Sequence, residues 1–465
     1  MGNETENINH ANTEKATYDK TVSNMKIGVC EMQGWRSTME DAAIVLPNYE
    51  KNTSLFGILD GHGGSIISEF VSVNFKNVLI RLNSYKNGNY EKALTETFLI
   101  MDELLKNKKI NNFIYTTHNS KEKQKEVTKR PNSQTFKDSF VKLRFETGVF
   151  EFDLNQIDLG LGGEDTSITL YEYKRKNSIK IFSEDHNNIK MEDIFFQKSG
   201  KQNAALNTLP LFEDVYNISK YDINFNDHIN NNLELSNNHS SISFKTSYDN
   251  YVARDMGTTA NIMLIKNGVI YIANVGDSLS VMYKNKKAYN LNREHQVIIE
   301  SEKERVLKSG ANIVGYRING MLNLTRAIGD LQFKSNNKLK RHDQSVIAVP
   351  EITKIEDTDG IDFIIMGCDG VWDCVKRQLV CDFVDRQIRE NPDKKLSDIL
   401  KVIFDRCVSQ VWGVVLGTDN MSCIIIQFLH KENGRNNNAN DIVIQKVNIN
   451  EGIIEDIPKE NIIQN

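Results

Sequence analysis

The sequence has little proline, no long apolar run and no strong excess of charge of either sign. Its 465 residues include 6 prolines, and 57 Lys and Arg residues against 62 Asp and Glu residues leave a formal net charge of −5. Because this balance offers no basic stripe to displace counterions from phosphates, it excludes a dedicated nucleic-acid binder. No apolar run approaches the ~20 residues that a membrane-spanning helix needs, so we expect no transmembrane segment.

Cysteine is also scarce, and its spacing excludes the common cysteine-based sites. The 6 cysteines include no C-x-x-C pair, and the sequence contains no H-E-x-x-H, so a zinc site is disfavoured. In a chain of this length such cysteines are typical of reduced, mostly buried thiols. Residues 1–20 lack the apolar stretch of a secretory signal. Together these absences predict a cytoplasmic or nuclear protein.

One feature of the N-terminus bears on membranes. The chain begins Met1-Gly2, as N-myristoylated chains do, but Glu6 stands where that consensus has Ser or Thr. If Gly2 is acylated, we expect only weak membrane association, because a single acyl chain anchors a protein marginally.

Asparagine is abundant, with 54 residues, and polar runs rich in it interrupt the apolar patterning. Residues 108–250 form an insert of roughly 140 residues, far longer than an ordinary loop. Such an insert is either disordered or a separate subdomain, and we expect mostly flexible sequence with some local strands. Its role stays open between a regulatory arm, a docking segment and inert low-complexity sequence. The chain therefore divides into a tail over 1–24, one domain over 25–430 interrupted by this insert, and an Asn-rich tail over 431–465.

The patterning of the domain predicts short strands in hairpins and amphipathic helices in pairs. The dipeptide Asn267-Gly268 has the signal of a tight hairpin turn between strands at 258–265 and 269–275. The other expected strands are 54–59, 278–283, 363–367 and 421–429, and the expected helices are 65–82, 90–105, 297–308, 376–388 and 396–408. The class is therefore α+β with packed antiparallel sheets.

Five places along the chain share an Asp beside a predicted strand or turn. They are Glu40-Asp41, Asp60-Gly61-His62-Gly63-Gly64, Gly276-Asp277, Cys368-Asp369 with Asp373, and Asp419-Asn420. Any one of them alone is most often just a turn. Because strand ends converge at one edge of a sheet, several of these carboxylates can meet, and they repel one another unless cations neutralise them. Oxygen ligands of this kind suit Mg²⁺ or Mn²⁺.

The acidic turns belong to nine short motifs that run in order along the two patterned stretches. They are Met32-Gln33-Gly34-Trp35-Arg36, Met39-Glu40-Asp41, Asp60-Gly61-His62-Gly63-Gly64, Gly257-Thr258-Thr259-Ala260, Asn274-Val275-Gly276-Asp277-Ser278, Leu324-Thr325-Arg326-Ala327-Ile328-Gly329-Asp330, Val349-Pro350-Glu351-Ile352, Cys368-Asp369-Gly370-Val371-Trp372-Asp373 and Asp419-Asn420-Met421-Ser422. Over about 25–106 and 251–430 this series closely resembles the metal-dependent protein serine/threonine phosphatases of the 2C type, the PPM family. One departure is Arg293-Glu294-His295-Gln296, where the family often has Asp-His-Lys-Pro, so no catalytic role is assigned there.

The resemblance implies a central antiparallel β-sandwich flanked by pairs of α-helices, in four αββα layers, with two Mg²⁺ or Mn²⁺ ions at one end. By motif position, Asp60 is expected to bridge both ions. Asp369 and Asp419 are expected to hold the first ion, and Asp41 and the backbone carbonyl of Gly61 the second.

Five further residues take roles from the same resemblance. Asp277 and Asp373 match a third, weaker metal position, and Glu40 is expected to orient metal-bound water. Arg36 is expected to clamp phosphate, which agrees with the match between a guanidinium fork and two phosphate oxygens. His62 is expected to be the general acid, since a seryl or threonyl alkoxide is a poor leaving group that needs a proton.

The expected function is metal-dependent hydrolysis of phosphoserine and phosphothreonine in proteins by a water that two metal ions activate. Phosphoproteins are therefore the expected partners. One alternative is a pseudophosphatase that keeps the fold as a scaffold without turnover, although every carried-over ligand is present. Another is a different metal-dependent hydrolase such as a nuclease, which the absence of a basic groove signature disfavours.

Overall fold

We describe a computed structural model of the chain. It covers the conformation of residues 10–22, 24–108, 110–112, 114, 251–411 and 416–429, together with the backbone of strands at 147–153, 167–173 and 445–446. Residues 190–246 lie outside the described residues. Most of the predicted insert and the predicted C-terminal tail lie outside them as well.

The first of two large sheets has six strands, each antiparallel to its neighbours. Its spatial order is β1 (Asn12–Val22), β2 (Met25–Gly34), β18 (Met421–Phe428), β17 (Ile361–Gly367), β11 (Leu279–Lys284) and β12 (Lys287–Asn290). The second sheet is also six-stranded and antiparallel. Its order is β19 (Gln445–Lys446), β16 (Glu351–Ile355), β10 (Val269–Val275), β9 (Ala260–Lys266), β4 (Thr53–Leu59) and β3 (Ala42–Glu50).

Short strands complete the β-structure. A small sheet joins β15 (Ile328–Gly329), β8 (Gly257–Thr258) and β5 (Gly61–His62), and two hairpins consist of β13 (Ile313–Val314) with β14 (Arg317–Ile318) and β6 (Thr147–Asp153) with β7 (Ser167–Tyr173). Strands β6 and β7 lie within the predicted insert, whose remaining conformation falls outside the described residues.

Helices cover the outer face of each large sheet. Those of the described residues are α1 (Ile66–Leu79), α2 (Asn83–Lys86), α3 (Tyr90–Leu104), α4 (Glu300–Lys308), α5 (Asp369–Trp372), α6 (Arg377–Glu390) and α7 (Leu396–Cys407). Helices α1 and α3 pack on the second sheet, and α6 and α7 pack on the first. The result is the four-layer αββα sandwich that the resemblance implied. No helix in the described part of the chain is long and apolar enough to cross a bilayer.

Two apolar clusters hold the layers together. One contains Phe56 of the second sheet, Met366 of the first and Phe404 of α7, so it spans the interface between the sheets and the α7 layer. The other joins the second sheet to α1 and α3, where the rings of Phe75 and Phe98 meet edge to face at 5.3 Å. Burying such side chains contributes roughly 1.5–3 kcal/mol each, and this packing fixes the strand ends that carry the acidic turns.

The tight turn predicted at Asn267-Gly268 joins β9 to β10, with φ of 52° and 84° at the two residues. Positive φ at both positions is what a two-residue hairpin of this twist requires, and Asn and Gly adopt it at little cost. A difference from the prediction lies at the N-terminus, where residues 12–22 of the expected tail form the edge strand β1. Only Tyr18, Val22 and Ala16 are apolar there, so the strand carries little of the alternation that reveals a half-buried strand.

The register of both sheets brings the acidic turns to one end of the sandwich. In the first sheet, Gly367 pairs with Cys423 on one side and with Leu279 on the other. In the second sheet, Ala42 pairs with Leu59. The acidic turns directly precede or follow these paired positions, so they leave the two sheets close to one another.

Candidate active site

Three of the acidic turns place polar atoms in one small volume. A carboxylate oxygen of Asp41, a carboxylate oxygen of Asp60 and the sulfur of Cys368 all lie within 4.8 Å of one another. Asp41 precedes β3, Asp60 follows β4, and Cys368 follows β17, so the two sheets both contribute to the cluster. The convergence predicted from the sequence is thus present for these residues.

Asp60 lies at the electrostatic centre of the cluster. Loss of hydration raises its pKa well above the ordinary value, and the carboxylates of Asp41, Asp369, Asp277 and Asp419 raise it further. Four like charges acting on one carboxyl group are unfavourable unless a cation is shared among them. The neighbours of Asp60 are the same residues that the motifs assign to metal binding.

The Asp41 carboxylate is the group in the cluster whose surroundings best suit a cation. It is 2% exposed, and neither carboxylate oxygen has a hydrogen-bond partner among the described residues. Burial and the charges of Asp419 and Asp369 raise its pKa to about 8. The nearby Ser422 hydroxyl and Cys368 thiol offset only part of that rise, and neither forms a hydrogen bond of normal geometry with the carboxylate. A buried carboxylate without a partner is costly, and an all-oxygen donor set fits a hard divalent cation.

The four remaining aspartates of the predicted set, Asp277, Asp369, Asp373 and Asp419, adjoin this cluster. Burial, together with Asp419 and Asp373, raises the pKa of Asp369 to about 6. Asp277 is buried, and its pKa is raised well above the ordinary value by loss of hydration and by Asp369. A side-chain amide of Gln296 donates to Asp277 Oδ2 at 3.3 Å. Asp277 and Asp373 therefore both interact electrostatically with the same carboxylate, that of Asp369.

Glu40 and Gly61 sit at the base of the site. The Glu40 carboxylate accepts hydrogen bonds from the Thr38 hydroxyl at 2.7 Å and from the Gly64 backbone N–H at 3.0 Å. Gly61 packs so closely that a Cβ there would overlap the Glu40 carbonyl and lie 2.9 Å from Ser68 Oγ. Residue 61 must therefore be Gly for the turn after β4 to reach the loop that carries Glu40.

Asn420 is a structural residue of the site that the sequence reasoning quoted within a motif without giving it a role. Its Oδ1 accepts from the Glu40 N–H at 2.9 Å, and its Nδ2 donates to the carbonyls of Gln33 at 2.7 Å and Thr38 at 2.9 Å. These three hydrogen bonds fix the loop between β2 and β3, which carries Arg36. The sequence signal for Asn420 was its position directly after Asp419 in the motif, whereas its hydrogen-bond partners lie hundreds of residues away along the chain.

Arg36 extends over the acidic cluster. Its Nη2 donates to Asp419 Oδ2 at 2.6 Å, and its side chain is 56% exposed. Burial of the rest of the group lowers the pKa of Arg36, but Asp419, Asp60 and Asp369 raise it more, so the guanidinium stays charged. The position is that of a cation at the mouth of an anionic site, reachable from solvent.

His62 lies on the other side of Asp60 and contacts a residue that the sequence analysis did not assign. Its Nε2 is 2.7 Å from Asp330 Oδ2, and Asp330 is buried. Although burial lowers the pKa of His62, the carboxylate of Asp330 more than offsets this and the net pKa is raised. His62 thus sits beside the proposed metal ligands with a buried carboxylate behind it.

Comparison with known proteins is consistent with this geometry. The family model described as Protein phosphatase 2C matches residues 25–125 and 172–411, which is more than half of the chain. The chain belongs to the protein phosphatase 2C family. Membership confirms the enzyme class expected from the sequence, a protein serine/threonine phosphatase of a metal-dependent family.

Individual relatives resemble this chain over most of its length. The chain is 30% identical over 416 residues to "Probable protein phosphatase 2C 21" of Arabidopsis thaliana, covering 90% of both chains. It is 26% identical to "Probable protein phosphatase 2C 3" of Paramecium tetraurelia, covering 89% of this chain and 95% of that one. A solved serine-threonine phosphatase 2C from Toxoplasma gondii aligns over 89% of this chain and 99% of that chain, with 11% identity and a TM-score of 0.48. A TM-score this low adds no weight, and the αββα layers described above establish the fold directly.

Proposed function

We propose that the enzyme hydrolyses phosphoserine and phosphothreonine in proteins at the acidic end of the sandwich, with Mg²⁺ or Mn²⁺ as its metal. The single observation that carries the proposal is the proximity of the buried Asp41 to the half-buried Asp60. The Asp41 carboxylate has no hydrogen-bond partner among the described residues, and it shares a 4.8 Å cluster with Asp60. Such a pair is electrostatically incomplete without a cation.

The residues that would hold the metal are those assigned by motif position from the family resemblance. Asp60 would be shared between two ions, with Asp369 and Asp419 on the first and Asp41 and the carbonyl of Gly61 on the second. Asp277 and Asp373, the neighbours of Asp369, would serve a third and weaker position. When bound, divalent cations supply the positive charge that activates a water and stabilises phosphoryl transfer.

The other residues bind and position. Arg36 would bind two phosphate oxygens through its guanidinium fork, since it is exposed at the mouth of the site and stays charged. Glu40 is held by Thr38 and Gly64, and it would orient water next to Asp41. His62 would give a proton to the seryl or threonyl oxygen as that oxygen leaves phosphorus.

The leaving group and the access of the substrate to the site set the substrate class. A dianionic phosphate bound by Arg36 would face solvent, so a phosphorylated side chain on a protein surface could enter the site without unfolding of the substrate. Phosphoproteins are therefore the proposed partners.

Phosphate release tests the proposal. The full chain is incubated with a phosphothreonine peptide in Mg²⁺, in Mn²⁺ and in EDTA, alongside Asp60→Asn and the surface control Asp359→Asn. We expect release by the wild type and by Asp359→Asn with either cation, and none in EDTA or with Asp60→Asn. Release that survives chelation would contradict the metal-dependent mechanism. A folded wild type that releases no phosphate with either cation would instead favour the catalytically silent scaffold.

A further inference from the structure

The pairing of His62 with Asp330 is part of the site but has no role in the chemistry proposed so far. His62 Nε2 lies 2.7 Å from Asp330 Oδ2 across 268 residues of sequence. The side chain of His62 is 26% exposed and that of Asp330 only 2%. The ring therefore has one edge towards solvent and the other against a buried carboxylate. Among the described residues, no hydrogen bond reaches the second ring nitrogen, Nδ1.

The small sheet aligns the two residues. His62 in β5 pairs with Gly257 in β8, and Gly257 pairs with Gly329 in β15, which directly precedes Asp330. A Cβ at position 257 would overlap the Asp330 carboxylate and lie 2.7 Å from His62 Nε2. The contact between imidazole and carboxylate thus exists only because residue 257 has no side chain.

The backbone around Asp330 is fixed from a second direction. Asp330 has φ of 51°, in the left-handed region, and its N–H donates to the Met256 carbonyl at 2.9 Å. A non-glycine residue is disfavoured there, so its surroundings must impose the conformation. A conformation imposed in this way at a carboxylate that faces a catalytic candidate points to a positioning role.

A buried ion pair supplies part of that constraint. The preceding N–H, of Gly329, donates to Asp102 Oδ1 at 3.0 Å, and the ammonium of Lys334 contacts the same oxygen at 2.5 Å. Lys334 also donates to the Ala327 carbonyl at 2.7 Å. Asp102 lies on α3, so the turn that carries Asp330 is attached to a packed helix and not to a surface loop.

We propose that Asp330 is the positioning residue of His62: it accepts the Nε2–H hydrogen bond and so leaves Nδ1 as the nitrogen that carries the transferred proton. The inference rests on the proposed function. In the reaction, water oxygen bonds to phosphorus, the P–O bond to the seryl or threonyl oxygen breaks, and its electron pair stays on that oxygen. The proton on Nδ1 of the imidazolium joins that oxygen and leaves a neutral imidazole, and the proton lost by water returns to Nδ1 through solvent and restores the imidazolium.

A comparison of two leaving groups tests this role. A threonyl alkoxide needs a proton to leave, whereas p-nitrophenolate is a stable anion that leaves without one. We compare kcat for a phosphothreonine peptide and for p-nitrophenyl phosphate in wild type, Asp330→Gly, His62→Gln and the double variant. Gly suits the φ of residue 330. The matched control is Asp343→Gly, which removes a carboxylate facing the exposed His342 at 3.6 Å.

The expected result is a split between the substrates. Asp330→Gly should lower kcat at least about 10-fold for the phosphopeptide and less than about 3-fold for p-nitrophenyl phosphate, since acid catalysis contributes ~10²–10⁴. The double variant should lose no more than His62→Gln alone, and Asp343→Gly should match the wild type. If thermal melting shows that Asp330→Gly is unfolded, Asp330→Asn, which tolerates the same φ, replaces it.

Other outcomes overturn the proposal. Equal losses for both substrates would mean that Asp330 acts on the fold or on the metal ligands, and no loss would mean that it does not act on His62. Additive losses in the double variant would likewise separate the two residues. A failure of the proposed function is distinguishable, because the wild type itself would then release no phosphate from either substrate with Mg²⁺ or Mn²⁺.

Discussion

The Arg36 guanidinium and the Asp419 carboxylate form a 2.6 Å ion pair at the entrance to the acidic cluster. The residue proposed to bind phosphate is thus paired with a residue proposed to bind metal. A cation held by Asp419 would neutralise that carboxylate and release the guanidinium for an incoming phosphate. If these roles hold, metal loading and phosphate binding would be coupled through these two side chains.

Substitution of Arg36 tests the phosphate-binding role. Arg36→Lys keeps the charge and removes the planar fork, so kcat/KM for a phosphothreonine peptide should fall about 10–100-fold, a loss of about 1.4–2.7 kcal/mol in transition-state binding. The control is Arg389→Lys, which alters an exposed arginine that pairs with Asp385 at 2.9 Å on α6. Steady-state kinetics on the purified variants measure both. Unchanged kcat/KM in Arg36→Lys would remove the guanidinium from the phosphate site.

Removal of metal should expose the repulsion among the aspartates. Because burial and neighbouring carboxylates raise the pKa of Asp41 to about 8 and of Asp369 to about 6, the metal-free folded state binds more protons than the unfolded state. The contribution of these two carboxyl groups to stability is therefore greatest at low pH and is lost as pH rises through these values. In EDTA at high pH, Asp60→Asn should melt above the wild type, by about 2–4 °C for each kcal/mol of repulsion relieved.

The same experiment with Mn²⁺ should reverse the order. Cation binding to the folded state stabilises the wild type by mass action, and Asp60→Asn, with one shared ligand fewer, should gain less. Thermal melting with and without Mn²⁺ measures both effects, and Asp359→Asn serves as an exposed control on the turn between β16 and β17. If chelation and Mn²⁺ leave the melting temperatures of wild type and Asp60→Asn in the same order, the cluster is not a metal site.

Because His295 is buried, we expect a loss of stability at acidic pH that is separate from the effect of the metal cluster. It is fully buried, and burial together with the Arg326 cation lowers its pKa to about 4. Its Nδ1 accepts from the Gly276 N–H at 3.2 Å, and its Nε2 contacts Glu351 at 3.3 Å. In the unfolded state the His295 imidazole is protonated near pH ~6.5, whereas in the folded state it is protonated only near pH 4. The free energy of unfolding therefore decreases as pH falls across that interval.

The loss should amount to about 3 kcal/mol over the whole interval. In urea unfolding in EDTA, the free energy of unfolding at pH ~5 minus that at pH ~7 should be more positive in His295→Gln than in the wild type, since Gln does not titrate. His342→Gln, at an exposed histidine, should keep the wild-type difference. Equal pH dependence in all three proteins would show that His295 does not govern the acid side of the curve.

The sequence predicted most of the elements that carry the site. The strands 54–59 and 363–367 and the helices 90–105 and 396–408 are present within a few residues of their predicted bounds, because apolar periodicity reports burial directly. Strand β1 was not predicted, since its burial depends on pairing with β2 rather than on its own composition. The cytoplasmic or nuclear location of the protein and the acylation of Gly2 stay predictions.

The residues of the site likewise divide into those that the sequence predicted and those to which it gave no role. Asp60 and Asp369 were singled out because each follows a strand that the pattern reveals, and Asp41 through its motif, while the metal-binding roles of all three came from the family resemblance. The partners Asn420 and Asp330 were quoted within motifs but received no role, because their contacts with Glu40 and His62 join residues 380 and 268 positions apart. Contacts of that kind depend on how the layers pack, and no local pattern encodes them.

The most direct test of the account is anomalous diffraction at the manganese edge from crystals of the full chain grown with Mn²⁺. The account predicts two peaks in contact with the Asp60 carboxylate, one beside Asp369 and Asp419 and the other beside Asp41, and no peak there in crystals of Asp60→Asn. Absence of manganese at these carboxylates in a wild-type crystal whose dissolved protein releases phosphate with Mn²⁺ would contradict it.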